Sequence, residues 1–201
     1  TAFQEAAGFV LDDKFLEGGE EMTAQAIVHQ ALGNSSAEKK NRMVQAVREN
    51  FVRHLKTAHE SDSSSFPALE GAVALLNDLK KKKVPVAIAT GDWVESSTFK
   101  LRAAGIPFEE IPLVTASDFY GRAEIIAAAV AKAGRPLHEA VYVADGLWDF
   151  RASKKLGIPF IGVGRQVNRL RAAGAIYTLQ DLNPLGFWRV IEVIRESHQS
   201  F

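Results

Sequence analysis

The spacing of apolar residues divides the chain into a helical N-terminal part and a C-terminal part in which strands and helices alternate. In the N-terminal part, apolar residues recur every four positions at Met43, Val47, Phe51 and Leu55. This spacing places them on one face of a helix, which we expect to run from about residue 36 to residue 59. Shorter helices are predicted up to Gly8 and over residues 20–32.

A serine-rich run, SDSSSFP at residues 61–67, separates the two parts. Such a composition is typical of a linker or hinge, because serine and proline favour turns over a continued helix. We therefore predict two domains, a helical domain over residues 1–65 and an α/β domain over residues 66–201.

The C-terminal part repeats one pattern, in which a short apolar run is followed by an amphipathic stretch. The apolar runs predict strands at residues 84–90, 113–117, 140–144, 159–163 and 175–179. The amphipathic stretches predict helices at residues 68–83, 93–105, 122–133, 147–156, 165–173 and 185–195. Strands that are apolar on both faces and alternate with helices indicate a parallel sheet covered on both sides. The predicted fold class is therefore α/β, with a doubly wound parallel sheet.

Composition limits the possible functions without naming one. The chain has 201 residues, 47% of them hydrophobic and 24% charged, which suffices for one core with a smaller domain attached. Its formal net charge is zero, so no partner surface for nucleic acid or for a membrane is predicted. The absence of cysteine excludes disulfides and thiolate chemistry. No apolar run has the length of a membrane span and no signal peptide is recognisable, which favours a cytoplasmic protein.

Two groups of polar residues follow predicted strands, at the sheet edge where ligands of open α/β sheets bind. Thr90 and Gly91 follow VPVAIA, and Asp145 follows VYVA, with Asp149 one helical turn later. A Thr-Gly turn before a helix offers N–H groups to a phosphate. Two carboxylates on one turn offer oxygen ligands to Mg²⁺. The same side chains could instead cap the helices that follow them.

Three stretches of the C-terminal part have the form of known motifs. FPALEGAVALLNDLKKKKVPVAIATG is a helix and a strand that end at a hydroxyl residue, Thr90. SDFYGRAEIIAAAVAKAG places Arg122 at a helix start, and VYVADGLWDFRASKKLGIPFIGVG is a strand followed by an acidic pair. In chain order they resemble the second, third and fourth motifs of the haloacid dehalogenase superfamily. The resemblance is greatest to its phosphatase branch, of the phosphoglycolate phosphatase and β-phosphoglucomutase kind. The first 60 residues resemble the family's helical cap more loosely.

Two positions inside these stretches depart from the family pattern. Ala144 stands where a glycine usually precedes the first aspartate of the fourth motif. Arg122 stands where the family has a lysine, and the first lysine of that stretch is Lys132, farther along the helix. Arginine suits phosphate through its planar fork of donors, although it does not replace lysine neutrally.

The largest departure concerns the family's nucleophile, which lies in an Asp-x-Asp motif after the first, central strand. The nearest stretch here is FVLDDKF, in which Asp12 and Asp13 are adjacent and Lys14 stands where the second carboxylate should fall. We interpret this stretch as a loop between cap helices, and we expect the motif and its strand upstream of Thr1. A sheet without that strand would expose strand edges, unless a partner or a rearranged sheet covered them.

The resemblance implies a magnesium-dependent phosphatase that acts on a small phosphorylated metabolite through an aspartyl-phosphate intermediate. In such an enzyme Asp145 and Asp149 would hold Mg²⁺. Thr90 and Gly91 would bind the phosphate, and Arg122 would bind it and neutralise its charge. The helical cap would close over the site and exclude water.

Two other functions stay open at this point. A non-catalytic binding or scaffold protein of the same family would also lack the nucleophile. A 2-haloacid dehalogenase would need no metal, and the acidic pair argues mildly against it. The sequence indicates neither the substrate nor the oligomeric state.

Overall fold

A computed structural model of the chain describes residues 2–11 and 22–198, with the side chain of His198 excluded. Within these residues it confirms the predicted fold class, since helices alternate with strands and every strand pair is parallel. The stretch around Asp12, Asp13 and Lys14, predicted to be a loop, lies outside the described residues.

The elements alternate along the C-terminal part as the sequence predicts. The helices are α1 (Ala2–Ala7), α2 (Ala24–Ala31), α3 (Ala37–Ser61), α4 (Ala72–Lys81), α5 (Val94–Ala103), α6 (Arg122–Lys132), α7 (Leu147–Leu156), α8 (Val167–Ala172) and α9 (Pro184–His198). The strands are β1 (Ile88–Ala89), β2 (Leu113–Val114), β3 (Tyr142–Ala144), β4 (Phe160–Val163) and β5 (Tyr177–Leu179). Two 3₁₀ turns, Leu137–Glu139 and Gly164–Gln166, precede β3 and α8.

Local signals in the sequence explain where several helices begin and end. Thr23 and Ser36 are the N-caps of α2 and α3, and their hydroxyls accept the N–H groups of Ala26 at 3.2 Å and Lys39 at 3.3 Å. Helix α7 ends at Gly157, whose φ of 68° lies in the left-handed region that glycine adopts without strain.

The strands are shorter and less buried than their apolar runs predict. The run at residues 84–90 contributes only Ile88–Ala89 to a strand, and β1, β3 and β5 are half-buried. Among the described strands, only β4, the central strand of its sheet, is buried along its whole length. The prediction that strands are buried on both faces is therefore correct for β4. It is wrong for its neighbours β3 and β5, which lie at the edges of this sheet within the described residues.

The Cα positions form two compact units. One comprises residues 1–67, 88–104 and 113–126, and the other residues 68–87, 105–112 and 127–201. These units do not follow the chain order of the predicted domains, so the division into a cap over residues 1–65 and a core over 66–201 stays a prediction.

The first unit contains helices α1, α2 and α3 together with the parallel pair β1–β2. In the pair, Ile88 lies opposite Leu113 and Ala89 opposite Val114. Its main apolar cluster joins the three helices to the segment after β1. The buried members of the cluster are Phe3, Val28, Val47 and Trp93. Trp93 thus ties the turn after β1 to the helices by apolar packing.

The second unit contains a three-stranded parallel sheet in the order β3-β4-β5, covered on both faces. On one face, Ile161 and Val163 of β4 pack with side chains of α4 and α9. On the other face, Phe160 packs with Leu170 of α8 and with the half-buried Phe150 of α7. Alternate residues of β4 therefore serve opposite cores, as expected of a doubly wound sheet.

None of the helices described in residues 2–11 and 22–198 is long and apolar enough to cross a membrane.

Candidate active site

The turn after β1 is joined to the turn after β2 by backbone hydrogen bonds. The N–H of Thr90 donates to the carbonyl of Val114 at 3.0 Å, and the N–H of Ala116 donates to the carbonyl of Asp92 at 2.9 Å. The Thr90 hydroxyl accepts the N–H of Asp92 at 3.2 Å. The two strand ends are therefore fixed against each other, and the segment from Thr90 to Asp92 has a defined backbone.

The start of α5 is capped by the neighbouring turn and not by the residues that precede it in sequence. Its N-cap, Trp93, makes no side-chain cap hydrogen bond, and Ser117 accepts the N–H of Val94 at 3.1 Å. The Asp92 carboxylate instead pairs with Lys100 on the same helix at 2.7 Å. Its negative charge is thus partly compensated, which lessens the repulsion that an anion near Gly91 would meet.

Gly91 and Arg122, both predicted site residues, lie against each other. An ideal Cβ built on Gly91 would stand 2.7 Å from the Cζ atom of Arg122 and 3.0 Å from the carbonyl oxygen of Met22. Arg122 is 9% exposed, and its Nη2 donates to the Met22 carbonyl at 2.9 Å. A positive guanidinium is therefore held beside the turn that was predicted to bind phosphate.

Residues 22–24 connect α2 to this turn through three successive contacts. The carbonyl of Met22 accepts from Arg122, the hydroxyl of Thr23 donates to the Tyr120 carbonyl at 2.8 Å, and the N–H of Ala24 donates to the Gly91 carbonyl at 2.7 Å. Thr23 is fully buried. Sequence reasoning missed this segment. A helix-start signal was present, because threonine is a favoured N-cap, but the helix was predicted to begin at Glu20 and thus to pass through Thr23.

His29 on α2 lies near the same loop. Its ring centroid is 5.6 Å from that of Tyr120. Burial lowers the pKa of the His29 imidazole, and the positive charge of Lys40 lowers it further. Both causes favour the neutral ring.

The acidic pair after β3 contains two carboxylates in different surroundings. Asp145 is exposed, whereas Asp149 is only 3% exposed. The Tyr142 hydroxyl donates to Oδ1 of Asp149 at 2.9 Å, and the N–H of Gly146 donates to Oδ2 at 3.2 Å. Asp149 therefore stabilises the turn between β3 and α7, with one half of the hydrogen-bond pattern of a capping box.

Asp145 is better suited than Asp149 to bind a hard cation such as Mg²⁺. Asp145 at the end of β3 presents an exposed carboxylate, the ligand type that Mg²⁺ prefers. Each oxygen of Asp149 already accepts one hydrogen bond, which leaves further lone pairs but less freedom to turn toward an ion. Residues 2–11 and 22–198 contain no cluster of three or more His, Asp or Glu side chains suited to hold a metal ion.

Thr90, Gly91 and Arg122 belong to one compact unit, and Asp145 and Asp149 belong to the other. The members of the first group lie together, and the acidic pair lies on one turn. That the two groups share one site stays a prediction.

A family model described as "Haloacid dehalogenase-like hydrolase" matches residues 11–163, about three quarters of the chain. The matched region includes FVLDDKF from its third residue onward, as well as both groups of predicted site residues. No curated protein matches the chain significantly.

Solved structures with the same fold cover most of the chain. A β-phosphoglucomutase from Clostridium difficile superposes with a TM-score of 0.75 at 19% identity, covering 98% of this chain and 89% of that one. A hydrolase from Pseudomonas syringae gives 0.72 at 24% identity, with 92% and 86% covered. CbbY from Rhodobacter sphaeroides, crystallised in complex with phosphate, gives 0.71 at 20% identity, with 92% and 87% covered. At these identities the superpositions show a shared fold.

Proposed function

Because the chain belongs to the haloacid dehalogenase-like hydrolase family, we propose that it is a magnesium-dependent phosphatase of a small phosphorylated metabolite. The observation that carries this proposal is the position of Arg122, whose guanidinium packs on Gly91 at the carboxyl end of β1. A buried cation beside a glycine turn is suited to an anion with several oxygens. The CbbY protein that shares the fold was crystallised with phosphate, which agrees with this ligand class.

Arg122 would supply most of the phosphate recognition. Its guanidinium is planar, permanently charged and held by the Met22 carbonyl, so little freedom is lost when a phosphate binds. The missing side chain of Gly91 leaves the space in which the Arg122 guanidinium lies against the turn. The Thr90 hydroxyl can donate its own hydrogen to a phosphate oxygen while it accepts the N–H of Asp92.

Asp145 would be the first ligand of Mg²⁺, because its carboxylate is exposed at the end of β3. Asp149 would hold the turn that carries Asp145, through its hydrogen bonds with Tyr142 and Gly146. It would be a second ligand of the ion if one of its carboxylate oxygens turned toward it. When bound, the ion would neutralise charge on the transferred phosphoryl group. The chain's own contribution would be to position the phosphate and to hold Asp145 at the strand end.

A second candidate function is supported by the FVLDDKF stretch. The sequence has no Asp-x-Asp motif, and the nucleophile that the resemblance implies is assigned to no described residue. A non-catalytic family member would bind a phosphorylated ligand without cleaving it. Such a protein needs Gly91 and Arg122 but has no need of a nucleophile.

Hydrolysis of an aryl phosphate by the full-length protein, measured with Mg²⁺ and after chelation by EDTA, tests the proposal. We expect activity that EDTA abolishes. Arg122→Ala should lower kcat/KM by about 100-fold, as removal of one preorganised charge-stabilising donor does. Arg135→Ala is the matched control, because Arg135 is an exposed arginine paired with Glu139 and should retain full activity.

Three results would point elsewhere. Phosphate binding without hydrolysis would favour the non-catalytic member. Metal-independent release of chloride from 2-chloropropionate would favour the dehalogenase. Aryl phosphate hydrolysis that survives EDTA would refute the role of Mg²⁺. The cytoplasmic location expected from the sequence stays a prediction throughout.

A further inference from the structure

The buried hydroxyl of Thr23 lies at the junction of three segments that the proposed phosphate site uses. It accepts the N–H of Ala26 at 3.2 Å, which caps α2, and it donates to the carbonyl of Tyr120 at 2.8 Å. Tyr120 stands two residues before Arg122. The hydroxyl therefore joins the start of α2 to the loop that leads into α6.

The residues on either side of Thr23 contact two of the three residues that are predicted to bind phosphate. Met22 offers its carbonyl to Nη2 of Arg122 at 2.9 Å, and Ala24 gives its N–H to the carbonyl of Gly91 at 2.7 Å. Thr23 itself is extended, with φ −105° and ψ 153°. Because only one residue separates the two contacts, a shift of Thr23 would move both together.

We propose that Thr23 is a positioning residue that holds Met22 and Ala24 in place, and through them the Arg122 guanidinium and the Gly91 turn. The effect of Thr23 on phosphate binding rests on the proposed function. Its effect on the positions of Arg122 and Gly91, which we call the positional link, does not, because it concerns the protein without ligand. Thr23 touches no phosphate in this proposal and acts only through its neighbours.

The physical reason is the cost of unpaired groups in a buried place. If the hydroxyl is removed, the buried Ala26 N–H and the part-buried Tyr120 carbonyl lose their shared partner. The segment must then move to satisfy these groups, and the Met22 carbonyl moves with it. Arg122 loses part of the restraint that sets its guanidinium beside Gly91.

Three variants separate the hydroxyl from the rest of the side chain. Thr23→Val keeps the branched shape and removes the hydroxyl. Thr23→Ser keeps the hydroxyl and removes only the methyl group. Thr23→Cys, with its weaker hydrogen-bonding thiol, replaces the valine variant if that protein does not fold. Ser36→Ala is the matched control, because Ser36 caps α3 in the same way but its hydroxyl contacts Lys39 and no site residue.

The first measurement needs no ligand. In ¹⁵N spectra, the Nε–H signal of Arg122, assigned by its loss in Arg122→Lys, and the amide signal of Gly91 should both shift in Thr23→Val. They should keep their wild-type positions in Thr23→Ser and in Ser36→Ala. If both signals keep their positions in Thr23→Val or Thr23→Cys, the positioning role is refuted.

The second measurement is the dissociation constant of inorganic phosphate, by calorimetry with Mg²⁺ present. We expect at least a tenfold increase for Thr23→Val, less than a threefold change for Thr23→Ser, and none for Ser36→Ala. Unchanged phosphate affinity in Thr23→Val would overturn the inference. If the wild-type protein neither binds nor cleaves phosphate esters while the ¹⁵N shifts occur, the positional link holds and the proposed function fails.

Discussion

Gly91 has no room for a side chain, because the guanidinium carbon of Arg122 lies 2.7 Å from where its Cβ would be. Real Cβ atoms do not tolerate such a contact, so either the Gly91 turn or Arg122 must move when any other residue is introduced. The backbone of Gly91 is not in the left-handed region, and the requirement for glycine is therefore one of space and not of conformation. The glycine and the arginine are thus coupled parts of one arrangement.

Gly91→Ala should displace Arg122 and destabilise the protein. We expect the free energy of unfolding to fall by about 1–3 kcal/mol, the usual range for an overpacked buried site. Phosphate affinity should fall along with it. Urea denaturation and phosphate calorimetry measure the two effects.

Gly186→Ala is the matched control for this substitution. Its nearest neighbour would be Cδ2 of Leu179 at 3.8 Å, an ordinary contact, and Gly186 lies within α9. This variant should be unchanged or up to about 1 kcal/mol more stable, because alanine favours helix. Equal effects of both substitutions would contradict the steric coupling of Gly91 to Arg122.

The two carboxylates after β3 should respond differently to neutralisation. Asp149→Asn should lower the free energy of unfolding by about 1–3 kcal/mol, because the buried carboxylate accepts from Tyr142 and Gly146. Asp145→Asn should change stability by less than about 0.5 kcal/mol, since Asp145 is exposed. It should nevertheless abolish Mg²⁺-dependent hydrolysis.

A double-mutant cycle with Tyr142→Phe tests the role given to Asp149. The double variant should lose less stability than the sum of the two single losses, because both remove the same hydrogen bond. Strict additivity would show that the Tyr142–Asp149 contact contributes nothing to stability.

Lys83 is the one non-glycine residue with positive φ among the described residues, at 56°. It stands just after α4, where the N–H of Val84 donates to the carbonyl of Leu79 at 3.0 Å and closes the helix. Lys83→Gly removes a backbone strain of about 1–2 kcal/mol, partly offset by the greater freedom of glycine in the unfolded chain. We expect a net gain of about 0.5–1 kcal/mol in urea denaturation.

Lys83→Ala is the control for the loss of the lysine side chain. It keeps the left-handed backbone strain, so its stability should stay within about 0.5 kcal/mol of the wild type. If the alanine variant gains as much as the glycine variant, the strain at this helix end is not the cause.

The indole of Trp188 donates to Oδ2 of Asp78 at 2.6 Å. This hydrogen bond, with a smaller contribution from Lys82, holds the pKa of Asp78 below its ordinary value of 3.8. Because the folded-state pKa is lowered, the contact stabilises the protein above pH 3.8 and is lost as the pH falls through the folded-state value. Trp188→Phe should raise the pKa of Asp78, as followed by carboxyl ¹³C signals in an acid titration.

Lys82→Ala is the comparison for this titration, because Lys82 also pairs with Asp78, at 3.3 Å. Its effect on the Asp78 pKa should have the same direction and a smaller size. A larger shift in the lysine variant would show that charge, and not the indole hydrogen bond, dominates.

The pattern of neighbouring residues predicted correctly those helices whose first and last residues are set by capping side chains and glycines. Helix α7 was predicted at residues 147–156 and begins and ends there, because an acidic first turn and Gly157 mark its limits. The strands were predicted too long, since pairing decides the ends of a strand. The run at residues 84–90 pairs only at Ile88 and Ala89, where β2 lies alongside.

In the candidate site, too, the sequence predicted the residues but not the contacts between them. The resemblance to known motifs predicted the site residues, which are Thr90, Gly91, Arg122, Asp145 and Asp149. It did not reveal that Gly91 is required because Arg122 fills the space of its side chain. It also gave no sign of the Met22 carbonyl, which lies 100 positions from Arg122 along the chain.

The sequence by itself determined the α/β class, the parallel pairing and the family, because periodicity and short motifs are local properties that side-chain chemistry imposes on the backbone. Only the tertiary structure decided that Thr23 and its neighbours link α2 to the Gly91 turn, and that Asp149 is buried while Asp145 is exposed. These relations arise from close packing between segments that are distant in the chain, and a contact between two particular segments leaves no periodic signal in the order of residues.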